Sequence, residues 1–442
     1  MHALLIGAGV VGVSSAWALQ RRGVQVTLLE AGDEVACGAS HANGGQLSWS
    51  FTDPLASPAI LRQLPRLMLG GDPAFRLHLA AGLRADPAFA VWLLRFLRHC
   101  TPARERANLL AILRLGLHSR RVLQGWQAAL DLPFDYRQSG KLRLFSSAEG
   151  LARAAARSRL KAQLGVREEC LDAAACRRLD PALDDWRGAA GEAGNIGAGG
   201  IWAPEEAVGD ARAFTAQLAA RCRAAGARIE TGAAVVAIEQ GGGRPRARCA
   251  DGREFAADAL AICAGPQAAS LLRRAAAGMG RRLPIQPMQG YSLTLPALPG
   301  APRVGLTDSD NKVVFCRLGE RLRIAGVAEL GRDDAGSGPD AARIDVLLRT
   351  AAARLPAAAD FAAAQNDDSQ GEHRQLASWA GVRPVTPHGR PLIEHLGGGV
   401  WVNAGHGMLG WTLAAGAADL LAAQLCGEPA PLPAADYAIR SC

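Results

Sequence analysis

The sequence predicts an α/β protein in which a parallel-sheet nucleotide-binding domain is interrupted by an α+β domain with a mostly antiparallel sheet. Three observations predict it. A strand–turn–helix–strand unit fills residues 2–32. Further pieces of alternating strand and helix recur in the middle and at the end. Mixed, strand-rich stretches lie between them. With 442 residues, 49% of them apolar, the chain has the length and composition for two packed globular domains.

The elements follow in order. HALLIGAG is an apolar run ending in glycines, VVGVSSAWALQRRG has helical character, and VQVTLLEAG is a second strand, so the three form a βαβ unit. Residues 39–50 are rich in Gly, Asn and Ser and read as a loop. Residues 54–132 read as mostly helical, broken by Pro65, Pro73, Pro87 and Pro102. Residues 141–147 read as a strand and 149–179 as helical. Asp210 caps a helix over 211–225. Residues 227–239 give two short strands, and 253–265 one more that ends in small residues. Residues 283–295 and 312–330 form antiparallel strands, 342–355 a helix, and 379–425 a loop, a strand, a turn and a terminal helix. The expected division is a Rossmann-type cofactor domain from 1–55, 200–280 and 380–442, with a substrate domain from 56–199 and 281–379.

Composition excludes several functions. The net charge is +8, but no basic block is interleaved with aromatics and only three tyrosines exist, so nucleic-acid binding is not expected. The ten cysteines contain no CxxC pair, and the spacing of Cys170 and Cys176 has no metal signature, so no metal is expected. No charged leader precedes the first strand, and no run approaches the ~18 apolar residues of a spanning helix. A cytoplasmic protein is expected. Residues 59–99 set Leu, Trp and Phe against Arg at helical spacing. That pattern suits a helix packed on the core or one lying on the inner face of the plasma membrane.

Gly7-Ala8-Gly9-Val10-Val11-Gly12 matches G-x-G-x-x-G between a strand and a helix. Gly7 permits the tight turn, Gly9 lets the backbone reach a pyrophosphate, and Gly12 lets helix and strand pack closely. The helix start offers N–H groups and a positive dipole end to phosphate. Glu30 ends the second strand eighteen residues after Gly12, where it can accept from ribose hydroxyls and disfavours a 2′-phosphate. The unit by itself does not distinguish NAD from FAD.

Three further segments do: Gly38-Ala39-Ser40-His41-Ala42-Asn43-Gly44-Gly45-Gln46-Leu47-Ser48; Gly290-Tyr291-Ser292-Leu293; and Gly381-Val382-Arg383-Pro384 with Asn403-Ala404-Gly405-His406-Gly407-Met408-Leu409-Gly410-Trp411-Thr412. With the fingerprint, they resemble the bacterial D-amino acid dehydrogenase small subunits, part of the D-amino acid oxidase and glycine oxidase group of flavoenzymes. The order and spacing hold over nearly the whole chain. The resemblance implies non-covalent FAD and a small D-amino acid substrate. It also implies hydride transfer from Cα to flavin N5, with electrons passed to a quinone or other acceptor. The alternatives are an oxidase, a dehydrogenase of a cyclic, proline-like D-amino acid, or a flavin-containing subunit of a larger complex.

The resemblance places Arg383 against the substrate carboxylate, and a guanidinium suits that task because it grips a carboxylate with two parallel bonds. Tyr291 either lines the substrate pocket or packs in the sheet. His406 is either a catalyst or a structural, flavin-adjacent residue; no strong general base is evident. Gly405 to Thr412, including Gly407, Met408, Leu409, Gly410 and Trp411, would wrap the flavin pyrimidine end. Ser40, Asn43, Gly44, Gly45 and Gln46 would run along the flavin, and His41 either contacts it or faces solvent. Val235 or Val236 would meet adenine, and Ala264 and Gly265 would let the chain pass close to the cofactor. The family often has Lys where Gln289 stands and Pro-Gly-Tyr where Trp49, Ser50 and Phe51 follow Ser48. These departures leave the substrate choice open.

Overall fold

The computed structural model describes residues 1–68, 72–188, 191–241, 243–274, 282–365 and 376–442. Strand β1 (His2–Ile6), helix α1 (Val10–Gln20) and strand β2 (Gln25–Leu29) form the expected βαβ unit, with β1 and β2 parallel and paired from His2↔Gln25 to Ile6↔Leu29. Helix α1 is nearly all buried, with Val10, Val13, Ala16 and Leu19 in the core. Such a helix is covered on both sides: the terminal helix Gly410–Leu425 and the helix Ala211–Ala224 both pack on it.

Two large sheets organise the chain. The first has six strands in the order 392–397, 400–404, 259–262, 2–6, 25–29 and 228–230. It is parallel except for the hairpin at 392–404. Strands drawn from three distant parts of the sequence meet there because the central ones, 2–6, 25–29, 259–262 and 400–404, are mostly apolar runs that bury both faces, while the edges at 228–230 and 392–397 carry charge. The second sheet runs 377–385, 286–296, 321–330, 313–318, 305–308, 141–145, 199–203 and 169–171, with Phe75–Leu77 added beside 321–330. All but two of its pairings are antiparallel. Gly199–Ala203 and Ala377–Val385 both pair into this second sheet.

Several local expectations change. Residues 149–179 are not one helical stretch: the helix Ala148–Ala162 is followed by strand Glu169–Leu171 and helix Ala173–Leu179. Residues 253–265 hold two strands, Glu254–Ala256 and Ala259–Ile262. A short strand, Phe75–Leu77, interrupts the helical region before Pro102. Asp210 caps its helix as expected, accepting from the Arg212 and Ala213 N–H groups. The segment Gly407–Leu425 is, by length and composition, long and apolar enough to cross a membrane, which the sequence reading did not anticipate. Here it is a core helix, buried against α1 and the helix Pro102–Ala129.

Candidate active site

A single cavity of about 1210 Å³ runs between the two sheets. It exceeds the roughly 300–1,000 Å³ of ordinary small-molecule pockets, leaving room for a dinucleotide and a second molecule. One end is built by the fingerprint. Gly7 has φ +102°, and a Cβ there would lie 2.8 Å from the Cys263 carbonyl oxygen. Only glycine fits that turn. A Cβ on Gly12 would overlap the Gly7 carbonyl oxygen, so Gly12 serves the close packing of turn and helix and does not line the cavity. Gly7, Gly9, Val10 and Val11 do line it. The Val10 N–H donates to Ser40 Oγ at 3.0 Å. Glu30 lines the cavity, and its two oxygens accept from the Ala8 and Gly32 N–H groups at 2.6 and 3.0 Å. A carboxylate has about four acceptor sites, so Glu30 keeps capacity for a ribose hydroxyl while fixing the turn. Val235, Ala264 and Gly265 border the same end; Val236 does not.

The loop after Gly38 crosses the second sheet. Ser292 Oγ donates to the Ala42 carbonyl at 2.6 Å, and Arg323 donates to the Asn43 carbonyl at 2.8 Å. Asn43, Gly44, Gly45 and Gln46 line the cavity. The Gln46 amide is spent on the sheet, donating to the Leu306 and Phe315 carbonyls. His41 lies outside the lining, half-buried, and stacks on Trp379 at 4.1 Å.

The far end is closed by the terminal helix. His406, Gly407, Met408, Leu409, Gly410, Trp411 and Thr412 line it; Gly405 does not. Gly405 holds φ +82° beside Thr386, a geometric need rather than a contact with the cavity. The Trp411 indole is core, donating to the Gly209 carbonyl and packing on Phe214. Two helix starts face one cavity, and neither α1 nor Gly410–Leu425 has a side-chain bond from its own N-cap residue or an acid in its first turn. Each is a place for negative charge. Asn403 Oδ1 and His406 Nε2 are buried on the lining without hydrogen-bond partners among the described residues. Buried polar atoms of this kind require a partner. Burial also pushes the His406 imidazole down to about 3, so it is neutral at physiological pH. One helix start at the fingerprint for the phosphates, a second at the far end, glycine-lined backbone and polar atoms without partners among the described residues fit FAD.

Arg383 lines the cavity, half-buried, with no hydrogen-bond or ion-pair partner among the described residues. Burial lowers its guanidinium to about 10, still charged at neutral pH. It lies over Gly290, where a Cβ would fall 2.2 Å from a guanidinium nitrogen. Next to this pair, Val327 has φ +50° at a bulge between Gly326 and Ala328. A β-branched residue in that region is strained, and such strain concentrates at functional sites. Tyr291 contributes to the lining, yet its ring is buried in the core of the second sheet. Its hydroxyl donates to Glu329 at 2.5 Å and accepts from Gln289 and Arg332. Burial, then Glu329, pushes the phenol far above its usual range. It is a sheet tyrosine and not a free acid.

The sequence reading missed a polar lobe. Lys141 and Arg143 line the cavity and are almost fully buried. Lys141 Nζ donates to Ser48 Oγ at 2.9 Å, and the Ser48 N–H donates to Thr412 Oγ1 at 3.0 Å. This chain ties the ammonium to the start of the terminal helix. Burial pushes Lys141 down to about 7, against an opposing pull from Glu206. The signal was present: Lys141 and Arg143 alternate with Leu142 and Leu144, which sit in the core, so the two cations share the opposite face.

Comparison with known proteins adds the family. The model of the FAD dependent oxidoreductase (DAO) family matches residues 2–424. D-amino acid dehydrogenase 2 of Pseudomonas aeruginosa is 40% identical, covering 96% of this chain and 95% of that protein. D-amino acid dehydrogenase of Methylobacterium radiotolerans is 35% identical, covering 99% of each. Glycine oxidase from Geobacillus kaustophilus superposes with a TM-score of 0.71 at 21% identity, covering 99% of this chain and 97% of that one. L-proline dehydrogenase from P. horikoshii gives 0.72 at 16% identity, covering 99% and 96%. By family model and by full-length relatives, this chain belongs to the FAD-dependent oxidoreductases of the DAO family, with FAD as its cofactor.

Proposed function

We propose that this enzyme oxidises D-amino acids to imino acids, which hydrolyse to keto acids and ammonia. The observation that carries the reading is Arg383: a half-buried cation in the cavity with no acidic partner among the described residues. A planar guanidinium held over Gly290 suits a bidentate grip on an α-carboxylate. The D-amino acid dehydrogenases among its relatives supply the substrate's hand.

Bound FAD supplies a two-electron acceptor for the hydrogen on the substrate's Cα. The Gly7–Val11 turn and Ser40 would hold its phosphates, Glu30 a ribose, and the Asn43–Gln46 and His406–Thr412 segments its ring. Arg383 neutralises and orients the substrate carboxylate, and orientation of this kind supplies much of a rate. Neither Tyr291 nor His406 acts as a proton acceptor of ordinary strength: the phenol is raised and bonded to Glu329, and the imidazole falls to about 3. Hydride leaves Cα only when the amine lone pair is free, so the amine is neutral at that step, and neither Tyr291 nor His406 is the group that takes its proton. The start of the terminal helix stabilises negative charge at that end of the cavity, and such charge would in turn favour the protonated form of Lys141, which is tied to the helix through Ser48.

Non-covalent FAD, a cytoplasmic setting, and electron transfer to a quinone or other acceptor at the inner membrane face belong to the same proposal. The membrane part rests on the helix Ala88–His99, which buries Phe89, Trp92 and Phe96 but exposes Val91, Leu94 and Leu97 beside Arg95 and Arg98. Sedimentation with anionic vesicles should fall in high salt and with Leu94→Glu. For the reaction itself, the FAD-loaded protein is mixed anaerobically with D- and L-amino acids. Bleaching of the yellow band by D-forms only is expected, and bleaching by L-forms only would reject the assigned hand.

A further inference from the structure

The cavity beside Arg383 carries information on the substrate's side chain. Four neighbouring strands lay it out. Arg383 pairs with Met288, Gly290 pairs with Ala328, and Ala328 pairs with Phe75. Residues directly opposite or two apart share a sheet face. Arg383, Met288, Gly290, Ala328 and Phe75 therefore form one surface, running from the guanidinium across to the short strand. The loop Ala39–Gly45 covers the adjoining half of this face, through Ser292, Val314 and Gly381. The half beside Arg383 is left to the cavity.

That half is apolar. Leu55, Phe75, Met288 and Ala328 line the cavity and belong to one hydrophobic cluster. Leu55 and Ala328 stay partly exposed on it. Asp72 and Lys312, the charged pair that also borders the cavity next to Phe75, are bonded to each other. No described residue of this wall offers a free charge to a ligand.

We infer that the substrate's side chain lies against Leu55, Phe75, Met288 and Ala328, so that the enzyme selects D-amino acids with uncharged, apolar side chains larger than methyl. The inference rests on the carboxylate role of Arg383. With the carboxylate fixed there, a side chain pointing along the sheet gains by covering apolar surface. A charged side chain loses its water there and finds no partner.

The test is a panel of anaerobic flavin-reduction rates on the FAD-loaded enzyme, using D-alanine, D-norvaline, D-leucine, D-aspartate and D-lysine. D-norvaline and D-leucine should exceed D-alanine by about tenfold in rate over apparent Kd, as expected for two or more buried methylenes. D-aspartate and D-lysine should fall about a hundredfold below D-leucine. Ala328→Phe, which fills the wall, should cut the leucine-to-alanine ratio by about tenfold; the wild-type panel decides independently if that variant fails to bind FAD. Equal rates for D-aspartate or D-lysine and D-leucine would overturn the inference alone. Absence of bleaching by every D-amino acid would overturn the functional reading beneath it.

Discussion

Two buried charges on opposite faces of the strands Gln286–Pro296 and Arg321–Leu330, Glu329 and Arg383, are held in opposite ways. On one face Glu329 is saturated. It accepts from Tyr291 and Arg332, lies 3.0 Å from a His78 ring nitrogen, and has Arg343 at 3.6 Å. On the other face Arg383 has no partner at all among the described residues. Burial acts against both charges, but with different outcomes. At Glu329 the hydrogen bonds from Tyr291, Arg332 and His78 outweigh burial and bring the carboxyl down to about 2. At Arg383 nothing opposes burial, and the guanidinium falls to about 10. A satisfied charge holds the sheet together; an unsatisfied one, kept in a cavity, waits for a ligand.

The largest expected effect breaks this contrast on the ligand side. Arg383→Ala should lower kcat/KM for D-amino acids by about a thousandfold, roughly 4 kcal/mol of transition-state binding. The flavin spectrum should be retained. Stability in urea should be unchanged or higher, because an unpaired buried charge is removed. A loss of stability with activity kept would place Arg383 with the structural charges.

Glu329→Ala should do the reverse. Removing one partner of a buried ionic cluster costs about 3–5 kcal/mol of stability. The same group predicts an acid limit. Its carboxyl lies at about 2 in the fold against an ordinary 4.5, so the folded state binds the proton less tightly than the unfolded chain. That contribution, about 3 kcal/mol, is fully present above pH 4.5 and disappears as pH falls towards 2. Urea midpoints between pH 6 and 2 should show the loss, and Glu329→Gln should flatten it.

Gly290→Ala tests the cavity face more gently. Its methyl would meet the Arg383 guanidinium at 2.2 Å, which must move aside. Misplacing a positioning group by about 1 Å can cost up to about a hundredfold. A rise of ten- to a hundredfold in KM is expected, with FAD binding intact. An unchanged KM would mean that Arg383 need not lie over Gly290 to work.

Much of this was legible in the sequence, because local patterns express local geometry. Gly7 and Gly12 fall where a backbone turn and a helix contact require them, Gly9 lines the cavity, and Arg383, without a partner among the described residues, lies in a segment singled out beforehand. Side-chain direction was harder to read. Trp411 and Gln46 belong to the right segments, but their polar groups are spent on the Gly209 carbonyl and on two strand carbonyls. His41 turned to Trp379. Lys141 was overlooked because its partners, Ser48 and Glu206, are far from it in sequence. Such partners are set by the packing of distant strands, which no short window contains.

Tyr291 gives the smallest expected effect and the sharpest division between the two faces. Its neighbours Gly290 and Ser292 belong to the cavity side, Gly290 beneath Arg383 and Ser292 bonded to the Ala42 carbonyl. Alternation sends Tyr291 itself to the other side, where its ring packs with Leu293 and Ile324 and its hydroxyl bonds Glu329. Tyr291→Phe keeps the ring and removes only that hydroxyl, so the packing is preserved while Glu329 loses one charge-assisted donor. The cost should be about 1–2 kcal/mol in urea unfolding, since Arg332 and His78 remain beside the carboxylate. Turnover of D-amino acids should stay within about twofold of wild type. A fall in kcat beyond tenfold with unfolding unchanged would mean that the hydroxyl reaches the substrate, and that the division between a structural face and a binding face does not hold at this strand.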